Sequence, residues 1–123
     1  MWTVLFDDEF APEFRELDPP VRKAIAKYVA VLAVEGHQLS RPWADTLKGS
    51  IFANMKELRP TVNKVEWRVA FAFDPERQAI LLAAAAKGGA KDSRVYAQLI
   101  RTADKRFARH LESLATTRVA KQK

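Results

Sequence analysis

The residues of this sequence that could do chemistry are a group of cations and one phenol in its second half. Arg68 lies within a predicted strand, Lys87 ends the next predicted strand, and Tyr96 lies one turn into the helix that follows. Cationic side chains suit the bridging phosphate of RNA, because they stabilise the extra negative charge of a pentacoordinate transition state. A tyrosine can stack on a base or take part in proton transfer. These three residues are the predicted catalytic set.

Further basic residues flank this set and are candidates for RNA binding: Lys48, Lys56, Arg59, Lys91 and Arg94. An ordinary structural role stays open at these positions. Lysines are commonly solvated, Arg68 could cover a face of a sheet, and Tyr96 could belong to the core.

Other catalytic chemistries lack the residues that they need. Cysteine is absent, and the chain has no glycine-rich phosphate loop, no Gly-x-Ser-x-Gly turn and no His-Glu-x-x-His. His37 and His110 have no neighbouring ligand pattern and are predicted to be packed or solvated. The acidic run at 7–9 is predicted to be a solvated strand end or a partner contact. We therefore expect neither a metal site nor a cofactor.

The length and charge of the chain restrict what can position these groups. Its 123 residues suit one domain, predicted at 1–115, followed by a polar and frayed tail at 116–123. Residues 1–40 hold four basic and seven acidic residues, whereas residues 41–123 hold 17 basic and eight acidic ones. Such a basic region attracts a polyanion or an acidic protein, although it could also serve solubility alone.

The compartment is predicted from what the sequence lacks. No apolar run reaches the roughly 18 residues that cross a bilayer, and the absence of cysteine fits a reducing cytosol. We expect a soluble, cytoplasmic protein without membrane contact.

The first third of the chain predicts a strand and a helical hairpin. The strand covers 2–6, and a first helix starts at Pro12. Asp18 is the predicted N-cap of a second helix, which Gly36 ends. Residues 37–50 show no sustained periodicity and are interpreted as an ordered loop.

The rest predicts three antiparallel strands and a final helix. The strands cover 54–59, 65–73 and 79–86, and the helix runs from Asp92 or Ser93 to about Ala115. The alanine-rich third strand could be a helix by propensity, but its length and flanking turns favour a strand. In the second strand, large apolar side chains occupy one face and Arg68 stands with small residues on the other.

The order is therefore β-α-α-β-β-β-α, which is typical of an α+β domain with helices on one side of a small, mainly antiparallel sheet. Neighbouring strands and the start of the last helix bring Arg68, Lys87 and Tyr96 towards one another. The other side of the sheet, or its rim at the last helix, is predicted to stay available for a partner.

Four segments in this order resemble the RelE/HigB toxins, and the phage-type Gp49-like branch of HigB in particular, within the RelE/ParE superfamily. The strand pair 54–59 (Asn-Met-Lys-Glu-Leu-Arg) and 67–71 (Trp-Arg-Val-Ala-Phe) is similar to theirs. So are the basic loop and helix start at 86–96 and the Leu-Lys-Gly within 43–49. The likeness covers nearly the whole chain.

The resemblance implies the toxin of a type II toxin–antitoxin pair that cleaves messenger RNA in the ribosomal A site. Its members attack the phosphate with the ribose 2′-hydroxyl, without a metal or organic cofactor. By position, Arg68 is the phosphate-clamping arginine, Lys87 closes the last strand and Tyr96 is the tyrosine of the final helix. Lys56 and Arg59 match further basic positions.

The sequence departs from the family at several positions. Met55 and Glu57 interrupt the basic residues of their strand, Gly88 and Gly89 replace a second cation, and the catalytic histidine of some members has no counterpart. The general base is therefore unassigned. The implied partners are the ribosome with its messenger RNA and an antitoxin with a HigA-like helix-turn-helix domain. A ParE-like gyrase poison and a decayed prophage protein that only binds its antitoxin stay open as alternatives.

Overall fold

The computed structural model describes residues 1–87 and 92–122 of the chain. The predicted RNA-binding residue Lys91 lies outside the described residues, as do Gly88 and Gly89. Within the described part, no helix combines the length and the apolar content that crossing a lipid bilayer requires.

The described residues form three α-helices: α1 (Phe10–Arg15), α2 (Pro19–Glu35) and α3 (Asp92–Gln122). Asp18 occupies the N-cap position of α2, where its carbonyl accepts the N–H groups of Val21 and Arg22. Gly36 ends α2 with a φ of 60°, and a Cβ there would lie 2.0 Å from the Trp2 indole, so only glycine fits. The last helix continues to Gln122, beyond the predicted end near Ala115, so the tail predicted to be frayed is helical up to that residue.

In the part of the chain that the structure describes, six strands form one sheet: β1 (Thr3–Phe6), β2 (Ala44–Thr46), β3 (Lys56–Leu58), β4 (Thr61–Val62), β5 (Val65–Phe73) and β6 (Gln78–Lys87). Their order is β1-β6-β5-β3-β2, with β4 beside β5, and the β1–β6 pair alone is parallel among them. The strand interpretation of the alanine-rich segment is confirmed. The prediction missed β2, inside the presumed loop 37–50, and β4, because two or three residues carry too little periodicity to be recognised.

Helices cover both faces of the sheet, so the prediction of helices on one side is wrong. On one face, Ile25 and Leu32 of α2 pack in a core with Val69 and Phe71. On the other face, the apolar side of α3 packs on small and medium side chains of the sheet: Leu99, Ala103 and Phe107 on Met55, Ala70, Ala72 and Leu82. The small residues of β5 that suggested an open face are the ones that let α3 approach closely.

Ion pairs tie the start of the chain to α3. Asp7 is buried, accepts the N–H groups of Glu9 and Phe10, and pairs with Arg109 at 2.6 Å and Arg106 at 3.8 Å. The prediction of a solvated strand end is therefore wrong for Asp7, because α3 passes over it, whereas Asp8 is exposed.

Arg106 reaches further into the sheet. Its guanidinium donates to the Leu82 carbonyl and to Glu13, both at 2.8 Å. Strand β6, helix α1 and helix α3 are therefore joined through one buried side chain.

The histidines differ within the predicted packed or solvated roles, since His110 is partly buried and His37 is exposed. The Nε2 atom of His110 lies 2.8 Å from a carboxylate oxygen of the buried Asp74, and the ring of His37 contacts Trp2 edge-on.

Candidate active site

A groove of about 520 Å³ opens where β3, the end of β6 and the first turns of α3 meet. Among the described residues, four cationic side chains line it: Arg41, Lys48, Arg59 and Lys87. Glu57 and Tyr96 line it as well. An open, cation-rich groove with a carboxylate in its floor can hold a polyanion and exchange protons with it.

Glu57 lies in the lining of the groove, although the sequence analysis treated it only as an interruption among basic residues. Its side chain is 3% exposed and accepts hydrogen bonds from the Tyr96 hydroxyl and, at 2.5 Å, from Nη1 of Arg59. Burial raises the pKa of Glu57 above its ordinary value, against the opposing charges of Arg59 and Arg68. A carboxylate with a raised pKa is a better proton acceptor than an ordinary glutamate.

Arg68 lies behind Glu57 and is 2% exposed. Its Nη1 donates to the Trp67 carbonyl at 2.8 Å and its Nη2 to Glu66 at 3.2 Å. Its Nε lies 3.8 Å from a carboxylate oxygen of Glu57 and is buried without a hydrogen-bond partner among the described residues. The expected exposed cation on the sheet is therefore covered, because α3 packs on that face.

The three predicted catalytic residues do converge. Arg68, Lys87 and Tyr96 border one narrow space between β6 and α3. Tyr96 packs with its ring against the core under α3 and directs its hydroxyl to Glu57, while Lys87 is half-buried at the end of β6. Convergence of residues from β5, β6 and α3 is what the antiparallel order predicted.

Comparison with known proteins places the chain in a family. Residues 12–108 match the family model described as phage derived protein Gp49-like. The chain belongs to the Gp49-like family.

Two relatives come from Mycobacterium tuberculosis H37Rv, and both are assigned as toxins. HigB2 is 42% identical over 108 residues, which cover 87% of the chain and 53% of that relative. HigB3 is 40% identical over 100 residues, which cover 81% of the chain and 85% of that relative. The Gp49-like chain thus spans about half the length of HigB2 and most of HigB3.

A solved structure of the Escherichia coli toxin RelE, a double arginine-to-alanine mutant in the free state, resembles the Gp49-like chain. The TM-score is 0.56 at 18% sequence identity, and the match covers 81% of the chain and 95% of RelE. The fold of the chain is therefore RelE-like, as the resemblance implied.

The predicted RNA-binding residues of the Gp49-like chain separate into two groups. Lys48 and Arg59 line the groove. Lys56 does not, because it alternates with Glu57 along β3 and shares the face of Leu58, which packs in the core under α2. Arg94 is exposed and borders another groove, on the far side of α3 beside Ala83, Ala84 and Ala85.

Sequence reasoning missed Glu57 and Arg41. The signal for Glu57 was its register, because it shares a strand face with Met55, which is buried beneath α3. Arg41 gave no signal, because it lies in the segment interpreted as a loop. It is exposed, pairs with Asp45 at 2.8 Å and forms the outer rim of the groove.

Proposed function

We propose that this Gp49-like chain is the toxin of a type II toxin–antitoxin pair and that it is a ribosome-dependent endoribonuclease that cuts messenger RNA. The toxin assignments of HigB2 and HigB3 and the RelE-like fold support the first part. The groove supports the second, and the observation that carries it is the buried Glu57, hydrogen-bonded to Tyr96 in the floor of a cationic groove.

The proposed reaction needs only side chains of the chain. Glu57 takes the proton of the ribose 2′-hydroxyl, and the 2′-oxygen attacks the adjacent phosphorus. The bond from phosphorus to the 5′-oxygen breaks, leaving a 2′,3′-cyclic phosphate. The departing 5′-oxygen takes the phenol proton of Tyr96, and the protonated Glu57 then donates its proton to the resulting phenolate, which restores both groups.

The cations of the groove supply the charge that this step needs. Arg59 and Lys87 are placed beside Glu57 and Tyr96 and would neutralise the phosphorane, whose negative charge exceeds that of the phosphodiester. Lys48 and Arg41 lie on the rim and would bind flanking phosphates. No metal or organic cofactor enters this scheme.

The partners follow from the proposed function. The chain would act on messenger RNA at the ribosome, in the cytoplasm, and would be neutralised by an antitoxin with a HigA-like helix-turn-helix domain. Induction of the chain alone should arrest growth. Co-expression with the product of the neighbouring reading frame should restore it.

The Glu57→Gln variant tests the reaction. We expect cleavage to fall at least 100-fold, because a neutral amide cannot take the 2′-hydroxyl proton. Primer extension on messenger RNA after induction measures this, and the wild-type chain should give cuts in phase with translated codons. The Lys56→Gln variant is the control, since Lys56 lies on the opposite sheet face, and it should cleave at close to the wild-type rate.

Two outcomes of this experiment would reject the proposal. Intact messenger RNA together with broken chromosomal DNA would indicate a gyrase poison. Intact nucleic acids together with antitoxin binding would indicate a decayed protein.

A further inference from the structure

The buried guanidinium of Arg68 is the feature of the groove that the proposed reaction leaves unused. The Arg68 side chain is only 2% exposed and is not among the residues that line the open groove. Its guanidinium therefore cannot contact a phosphate bound there. Two of its nitrogens are engaged with the Trp67 carbonyl and with Glu66. A phosphate clamp would need to leave these partners and pass α3.

The third nitrogen of this guanidinium points to a different role. Nε is buried and has no hydrogen-bond partner among the described residues, which is rare for a buried donor in a folded protein. It lies 3.8 Å from a carboxylate oxygen of Glu57. A movement of the carboxylate by about 1 Å would bring the two atoms into hydrogen-bond range.

The hydrogen-bond and ion-pair partners of Glu57 differ in whether they can also contact RNA in the groove. Arg59 keeps 17% of its side chain exposed and lines the groove, and Tyr96 lines it too, so both can turn to RNA. When they do, Glu57 loses the donors that hold its negative charge. Arg68 stays in place behind it, because its other nitrogens are anchored in β5.

We propose that Arg68 is a positioning residue that acts on RNA only through Glu57, by donating from Nε to the Glu57 carboxylate when Arg59 and Tyr96 engage the substrate. This inference rests on the proposed function and deepens it. Arg68 would hold the proton acceptor in place and keep it ionised, while Arg59 would serve as the clamp on the phosphate.

Other charged groups near Glu57 act alongside Arg68. They are Arg59 at the end of β3, Asp45 on β2 and Lys87 on β6, with the phenol of Tyr96 on α3. The Arg59 charge is the strongest of those that favour the ionised carboxylate, and Asp45 opposes it. The test must therefore compare Arg68 with Arg59 directly.

The experiment compares the Arg68→Gln and Arg59→Gln variants, which remove the same charge from the buried and the exposed position. Binding to ribosomes programmed with messenger RNA is measured as a function of salt. Arg59→Gln should lower the slope of log affinity against log salt by about one contact, and Arg68→Gln should leave it unchanged. Single-turnover cleavage by Arg68→Gln should fall at least tenfold.

The pH dependence of cleavage distinguishes this role of Arg68 from a purely structural one, which would leave the pH profile unchanged. Removing the Arg68 charge raises the pKa of Glu57, so the acidic limb of the rate profile should shift to higher pH. Carbon NMR of the Glu57 carboxyl in the free protein should show the same upward shift without any RNA.

The Arg68→Lys variant covers the case in which Arg68→Gln fails to fold. It keeps the positive charge but not the guanidinium Nε, so the pKa of Glu57 should stay near that of the wild type while cleavage falls. Circular dichroism establishes the fold of each variant.

Three results would overturn the inference. A salt slope that falls as far for the Arg68 variants as for Arg59→Gln would make Arg68 the clamp. A pKa of Glu57 that does not rise in a folded Arg68→Gln variant, or a wild-type cleavage rate in Arg68→Lys, would remove its action through Glu57. A wild-type chain that cleaves no RNA would instead reject the proposed function, and the NMR titration would still decide whether the two residues are coupled.

Discussion

At the scale of single residues, the environment of Glu57 is assembled from segments far apart in the sequence. Arg59 lies two positions along the chain, but Arg68 comes from another strand and Tyr96 from the last helix. Its position on the strand face of Met55 is the local signal for Glu57, but the burial that raises its pKa comes from α3, which is distant in the sequence. The sequence therefore predicted the three converging residues but not the acidic residue between them.

Tyr96→Phe tests the hydrogen bond at this scale. Loss of the hydroxyl removes a donor to the ionised form of Glu57, so the pKa of Glu57 should rise further, and the departing 5′-oxygen loses its proton donor. Cleavage should fall by about 10²-fold, while the free energy of unfolding should change by no more than about 1.5 kcal/mol. Quench-flow cleavage assays and urea denaturation measure the two effects. Full activity in this variant would exclude the phenol from proton transfer.

At the scale of elements, long patterns were predicted well and short ones were not. The alternation of β5 and the apolar side of α3 persist over enough residues to fix both elements, whereas β2 and β4 depend on pairing with β3 and β5. The error about the open sheet face has a single cause. The small side chains of Ala70 and Ala72 suggested an exposed sheet face. They are small because the side chains of α3 pack directly on them.

Asp74 joins two elements and gives a prediction at this scale. It lies in the turn between β5 and β6, accepts from Glu76 and Gln78, and contacts His110 of α3. Burial works to raise the pKa of Asp74, but the hydrogen bonds from His110, Gln78 and Glu76 outweigh it and hold the pKa below its ordinary value. The stabilisation is thus complete above the unfolded pKa of about 3.9 and is lost as the pH falls through the lower, folded value.

The Asp74→Asn variant should be less stable than the wild type by about 1–3 kcal/mol at pH 7. The difference should begin to shrink below about pH 4, where the carboxylate of the unfolded wild type takes up a proton, and should be lost as the pH falls through the lower pKa of the folded protein. Urea denaturation across this pH range measures both statements. The exposed Asp8→Asn is the control, and a similar loss there would contradict the assignment of the effect to the turn.

At the scale of the whole molecule, the uneven charge of the sequence is partly neutralised inside the fold. Asp7, Glu9 and Glu13 from the acidic first third pair with Arg106 and Arg109 of α3. Acidic residues near the start of the chain therefore pair with basic residues of its last helix. The charge count along the sequence does not predict which residues form these pairs. The described cations that line the groove come from the segments beside β2 and β3 and from the end of β6.

Arg106→Met tests how much these contacts hold the molecule together. It leaves Leu82 without its donor and Asp7 and Glu13 without a buried partner, so the free energy of unfolding should fall by about 3 kcal/mol. Arg101→Met is the matched control on the same helix, because Arg101 is exposed and bonds only with Gln98 among the described residues, and it should change stability by less than about 0.5 kcal/mol. Thermal or urea unfolding compares the two, and equal losses would show that the buried network adds nothing.

The position of Tyr96 on the final helix has a consequence for how a working copy arises. Glu57 and Arg59 leave the peptidyl transferase centre early, but Glu57 is covered by α3, and the phenol that bonds to it also belongs to α3. A nascent chain folds in the direction of its synthesis, so the groove is assembled only once α3 has emerged. Under the proposed function, a ribosome would therefore not be attacked by the copy that it is still synthesising.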